Sequence, residues 1–179
     1  MNELPIDERF RDSDTGELIA NCLVCNKELV KSQSEYFVER IFRRLPKLSI
    51  VEPIFEYAMC SSCAETMRKQ LSKDSLMKIE AYFMENLQVH ANAHSNTENC
   101  LMTGNSIESS AEFSFHAHCK GDQMLQSIFP YAISNQAMEE ISQLLSPETI
   151  DELDGFKGKY FNGPPELAEI LNSRRFVPL

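Results

Sequence analysis

The chain has no tryptophan, only six glycines and four histidines in 179 residues, and 17 basic side chains against 27 acidic ones. Each shortage removes a class of function. No glycine-rich loop with a following lysine is present to cradle phosphates, and no serine-centred elbow or pair of carboxylates marks a hydrolytic site. A net charge of −10 works against general nucleic-acid binding, which depends on cations that neutralise phosphates and release counterions. The charge is uneven, at −4, +1 and −7 over residues 1–21, 22–88 and 89–179. Only Arg40, Arg43, Arg44 and Lys47 form a local basic cluster, and its simplest reading is a solvated loop or strand face. No run of about 18 apolar residues exists to span a bilayer. Nor does a basic stretch precede an apolar one near the start, as a secretion signal requires. The expected location is therefore the cytoplasm, where six cysteines would serve as thiols or metal ligands and not as disulfides.

What is present is a pair of Cys-x-x-Cys motifs, Cys22/Cys25 and Cys60/Cys63, separated by 34 residues. Two such turns can aim four sulfurs at one point while backbone amides stabilise the thiolates, the usual construction of a tetrahedral Zn²⁺ site. Asn26 follows the first pair at a position where the turn needs a left-handed backbone, which asparagine tolerates. Residues 36–42 and 54–59 are rich in aromatic and β-branched side chains and read as a hairpin joined by a long connection containing Pro46 and Pro53. Phe37, Ile41 and Leu45, with Val38 and Phe42, fit a helical stripe as well. After Cys63 the pattern is helical through Ala64, Met67 and Leu71. Its apolar register then slips, so a break near Ser72 and a second helix to about Leu87 are expected.

Turn, hairpin, then a helix carrying the last two ligands resembles the treble-clef group of zinc fingers, on Cys22-Leu-Val-Cys25 and Cys60-Ser-Ser-Cys63 within residues 18–87. The resemblance implies a zinc-stabilised fold and no particular activity. A rubredoxin-like iron site is the competing reading, disfavoured because neither pair carries the proline and following glycine of that group.

Residues 88–112 are rich in Asn, Ser, Thr and His and read as a boundary or long loop. Within them Cys100-Leu-Met-Thr103-Gly104 echoes the first knuckle with Thr in place of its second cysteine. Further on, Phe113 to Cys119 and Asp122 echo Phe55 to Cys63, with 15 residues between Thr103 and Cys119. A degenerate second copy is expected on this basis. If it held a metal, Cys100, His116, His118, Cys119 and Asp122 would be the ligands, the two histidines sharing one strand face. The plainer reading is a lost site with buried thiols. His90 and His94 could pair only on a helix and read as solvated. Asp122 could start a short helix ended by Pro130. Ser134, Ser146-Pro147-Glu148 and Gly163-Pro164-Pro165-Glu166 each read as helix starts.

The expected architecture is α+β. An acidic arm (1–17) precedes a four-cysteine zinc-binding module (18–87) and a second α+β region (88–179) with the altered copy and carboxy-terminal helices. The expected function is a zinc-stabilised, non-catalytic interaction or adaptor module that binds another protein and no membrane. The alternatives are a metal-dependent enzyme or metal-handling protein using the Cys/His/Asp set, and a nucleic-acid-binding finger.

Overall fold

A computed structural model describes residues 3–90 and 96–161. Helices and an antiparallel sheet share the chain, as an α+β architecture requires. The strands are β1 (Glu3–Pro5), β2 (Glu35–Leu45), β3 (Ile50–Cys60), β4 (Glu112–Lys120), β5 (Gln123–Leu125) and β6 (Tyr131–Ser134). The helices are α1 (Ser61–Gln70), α2 (Lys73–Val89), α3 (Asn135–Gln143) and α4 (Pro147–Tyr160). All strands join one sheet in the order β1-β5-β4-β2-β3, with β6 pairing β4 beside β5.

The hairpin β2–β3 is longer than its aromatic residues suggested, and only residues 46–49 connect the strands. Pro53 lies inside β3, next to a register shift between Ile41 and Phe42. A bulge on an edge strand is where a missing N–H breaks no ladder bond. The helical stripe through Phe37 and Ile41 arises because β2 is an inner strand, flanked by β3 and β4. Its two faces both carry buried residues, Tyr36 and Val38 on one and Glu39 and Ile41 on the other. Burial on both faces blurs the period-two signal on which strand recognition depends.

Helix boundaries follow local chemistry closely. Ser72 ends the extended step after α1 and caps α2, accepting from the Ser75 N–H, while Ser134 and Ser146 cap α3 and α4 through Ala137 and Thr149. The caps of α2 and α4 also bind each other. The Ser72 N–H donates to Thr149 Oγ1 at 2.9 Å, the Ser146 N–H donates to Ser75 Oγ at 2.8 Å, and the two cap hydroxyls lie 2.8 Å apart. Each cap of this kind is worth about 1 kcal/mol, and the reciprocal bonds lock the two helix starts together.

Two expectations are corrected. The first stretch is not a free arm: β1 pairs β5, Ile6 and Phe10 are buried, and Phe10 meets Phe115 edge-on. Burying those two side chains outweighs the acidity of their neighbours. Asp122 starts no helix; it lies in the turn after Gly121 (φ 57°), and residues 123–125 form a strand because β1 supplies a hydrogen-bonding edge. The helix start at Gly163 and residue His94 lie outside the described residues.

The pairing of β2 with β4 is antiparallel and centred on Glu39 opposite His116. Glu39 faces Tyr57 on β3, and His116 faces Tyr131 on β6. Each strand therefore carries the same arrangement about a common midpoint, as a two-fold relation between two units requires. One apolar cluster contains Cys22, Leu29, Tyr36, Val38 and Ala58. The other contains Cys100, Leu101, Met102, Ile107 and Ala132.

Candidate metal centre

The first knuckle is made by backbone hydrogen bonds. The Cys22 N–H donates to Lys27 O at 2.9 Å and the Asn26 N–H to Cys22 O at 2.9 Å, with Asn26 left-handed at φ 57° as expected. The Leu23 N–H then donates to Ala58 O at 2.8 Å, which fastens the knuckle to β3. Cys60 is the last residue of β3 and the cap position of α1, so Cys63 falls in the first helical turn. That placement sets both thiols near free amides and the positive end of the helix dipole.

All four sulfurs lie within 4.8 Å of one another, and Cys25 Sγ is 3.8 Å from Cys60 Sγ. A tetrahedral ion with metal–sulfur bonds of about 2.3 Å has sulfur–sulfur edges of about 3.8 Å, whereas a disulfide needs about 2.05 Å. The cysteines are free thiols, and the four could hold a metal ion. The Cys60 N–H donates to Cys22 Sγ at 3.4 Å, and the Ser62 hydroxyl is 3.2 Å from Cys60 Sγ. Burial opposes ionisation of Cys60, but the bonds from Ser62, the Cys63 amide and the neighbouring thiols outweigh it and bring the thiol down to about 6. Burial pushes Cys63 up. Four thiols this close cannot all ionise without a cation between them, and a divalent cation is what this donor set suits.

No family model matches this chain, and comparison with curated proteins and with solved structures returned no match. What the centre does must be read from its own geometry.

The second knuckle repeats the first bond for bond. The Cys100 N–H donates to Asn105 O at 2.8 Å, the Gly104 N–H to Cys100 O at 2.9 Å and the Leu101 N–H to Ala132 O at 2.8 Å, with Gly104 at φ 70°. Cys22 bridges Ala58, and Cys100 bridges Ala132, each in the parallel sense. The residues that answer Cys60 and Cys63 are thus Ser134 and Ala137, at the start of α3. The expected counterparts, Cys119 and Asp122, are corrected: both precede β6, the strand that delivers the last positions. In place of an ion, Cys100 Sγ accepts from the Ser134 N–H and hydroxyl, each at 3.2 Å.

The signal for this alignment was available. Tyr57-Ala-Met-Cys60 matches Tyr131-Ala-Ile-Ser134, Asn21-Cys-Leu23 matches Asn99-Cys-Leu101, and Ser146 follows Ser134 at the distance at which Ser72 follows Cys60. Weight on cysteine identity obscured it, because serine and alanine at the ligand positions carry no metal signature.

Among the described residues the four thiols are the one group of this kind that converges on a point. Cys100, His116, His118, Cys119 and Asp122 are not brought together. His116 and His118 do share a sheet face, but His116 is buried, lies 2.7 Å from Ser114 Oγ and stacks on Tyr131, and burial holds its ring down to about 3. His118 stacks on Phe37, 3.5 Å from the Glu35 carboxylate. Cys119 is fully buried, and that burial raises its thiol to about 12. Asp122 is exposed and accepts from the Gln123 side chain.

The basic cluster is used internally. Arg40 pairs with Glu56 at 2.8 Å and donates to Arg9 O at 2.7 Å, Arg43 pairs with Glu52, and Arg44 lies over the Phe113 ring. Three guanidiniums are thus committed to the fold, which weakens the nucleic-acid reading. No helix among the described residues is long and apolar enough to cross a membrane.

Proposed function

We propose that this chain is a non-catalytic protein-interaction module of the cytoplasm, built on one structural Zn²⁺ held by Cys22, Cys25, Cys60 and Cys63. Its second half is a degenerate treble clef in which Cys100, Thr103, Ser134 and Ala137 stand where ligands once stood. The observation that carries the reading is the convergence of four thiols within 4.8 Å of one another, with Cys25 and Cys60 at 3.8 Å, the edge of a tetrahedral thiolate ion. Four protein thiolates fill a zinc ion's coordination and leave no position for substrate, so such a centre contributes folding free energy and no chemistry.

The tip of the β2–β3 hairpin supports a protein partner. Leu48, Ile50 and Val51 are 63%, 48% and 42% exposed there. Together they project apolar surface from an element whose base is pinned at Cys60, and clustered exposed apolar residues mark interaction sites.

Elemental analysis of the purified chain should find one zinc per molecule. Cys63→Ser should lose it together with the cooperative unfolding of the first half, a loss on the order of 10 kcal/mol. Full helicity and an unchanged melting temperature after chelation would refute the scaffold. For the surface, Leu48→Glu with Val51→Glu should abolish recovery of a bound partner while zinc content stays at one; unchanged recovery would move the partner elsewhere.

A further inference from the structure

A cavity of about 670 Å³ lies between the sheet and the helices α1 and α2. Its size falls in the range of small-molecule sites, roughly 300–1,000 Å³. Most of its wall is apolar, including Phe37, Phe83 and Phe129, with Met67 and Leu71 on the helix side. The floor differs. Glu39 and His116, the cross-strand pair at the centre of the sheet, both line it.

Glu39 is 4% exposed. One of its oxygens accepts from the Tyr57 hydroxyl. The other, Oε1, has no hydrogen-bond partner among the described residues and lies 3.9 Å from His116 Nε2, beyond hydrogen-bond reach. That nitrogen is already 2.7 Å from Ser114 Oγ. Leaving a buried carboxyl oxygen unsatisfied costs about 1–3 kcal/mol, and buried polar atoms without partners are uncommon enough to ask what satisfies them.

In the second half the matching helix residues are more deeply buried: Ile141 and Leu153 are 0% and 1% exposed, against 7% for Met67 and a partly exposed Ile79. Lys157 occupies the place that answers Phe83. The looser packing of Met67 and Ile79 thus lies above an acceptor that lacks a donor.

We propose that this cavity binds an apolar small molecule with one hydrogen-bond-donating head, a medium-chain alcohol or alkyl amine, its head on Glu39 Oε1 and its tail along Phe37, Phe83 and Phe129. The floor offers an acceptor and holds its donors in internal bonds. Above pH 7, where Glu39 is ionised, a carboxylate head would face like charge at close range and is selected against. The inference stands apart from the zinc scaffold, since no cysteine lines the cavity.

Isothermal titration of the full, zinc-loaded chain with 1-octanol, octylamine and octanoate, at about one pH unit above the value of about 7 to which burial holds Glu39, tests it. At least one of the first two should bind, roughly tenfold or more tighter than octanoate, the effect of one buried hydrogen bond to a carboxylate; which of the two binds identifies the head. Glu39→Gln should erase that preference, and Met67→Trp, which fills the space, should abolish binding of all three. Zinc content and near-ultraviolet circular dichroism establish that each variant is folded, and Leu76→Trp replaces Met67→Trp if that protein fails to fold. No binding of octanol or octylamine, octanoate binding as tightly as they do, or a preference unchanged in Glu39→Gln would overturn the proposal.

Discussion

The two halves of this molecule make the same knuckle, strand pair and helix start, yet one gathers four thiols and the other a single thiol hydrogen-bonded to serine. The difference separates what a metal would supply from what the fold supplies. At the first knuckle Cys22 Sγ receives one amide at 3.4 Å, and the other groups gathered with it are three thiols, whose ionised forms repel one another unless a cation joins them. At the second, Cys100 Sγ receives two donors from Ser134 and is covered by Leu101, Met102 and Ile133, all buried to 1% or less. A knuckle with one thiol holds the same shape through apolar packing and one serine. The four-thiol site sits where packing is thinner, with Cys25 exposed and Cys63 half-buried.

The largest effect that would sharpen this contrast is a restored second centre. Thr103→Cys, Ser134→Cys and Ala137→Cys together should raise zinc content from one to two per chain and add stabilisation on the order of 10 kcal/mol, by elemental analysis and chelator-dependent unfolding. A triple variant that folds and still holds one zinc would break the proposed equivalence of the two halves. Next in size is a matched pair of truncations. Leu29 and Ile107 follow their knuckles at the same distance and are 0% and 4% exposed, so each change to Ala should cost about 2–5 kcal/mol in urea unfolding. If zinc carries the first half and packing the second, chelation should erase the loss for Leu29→Ala, whose half has then already unfolded, and leave that for Ile107→Ala unchanged.

The smallest effect lies at the midpoint. Burial holds Glu39 up to about 7 from 4.5, against a smaller downward pull from Tyr57. The same burial holds His116 down to about 3 from 6.5. Folding therefore favours the protonated carboxyl, whose contribution is lost as pH rises from 4.5 to 7, and the neutral imidazole, whose contribution is lost as pH falls from 6.5 to 3. Between 4.5 and 6.5 the two slopes cancel. Tyr57 and Tyr131, which face the pair, are pushed upward by burial and stay neutral throughout that window. In His116→Gln, stability should fall by about 1.4 kcal/mol per unit as pH rises through the window; in Glu39→Gln it should rise by as much. Parallel profiles for the two variants in a urea series would break the assignment.

The cysteine pairs, the Asn26 turn, the Ser72 break and the caps at Ser134 and Ser146 were all legible along the chain, because each rests on contacts within a few residues. The misreadings share one cause. Asp122 and residues 123–125 have local signals for a helix start, but β1 presents an edge that only the folded chain creates. Cys119 attracted the role of ligand by its identity, while the geometry of β6 gave that place to Ser134. The amino-terminal stretch read as an acidic arm because its charges are visible in sequence, whereas the aromatic contact that takes Phe10 comes from β4.

Spacing and residue chemistry along the chain were enough to announce four converging thiols and the helices that follow them, since turns, caps and ligand pairs act over one or two turns of backbone. The antiparallel joining of β2 to β4, the burial of Glu39 against His116 and the opening of a cavity above them came from the assembled molecule. Those features depend on contacts between residues far apart in sequence, whose free energies exist only once the sheet has formed.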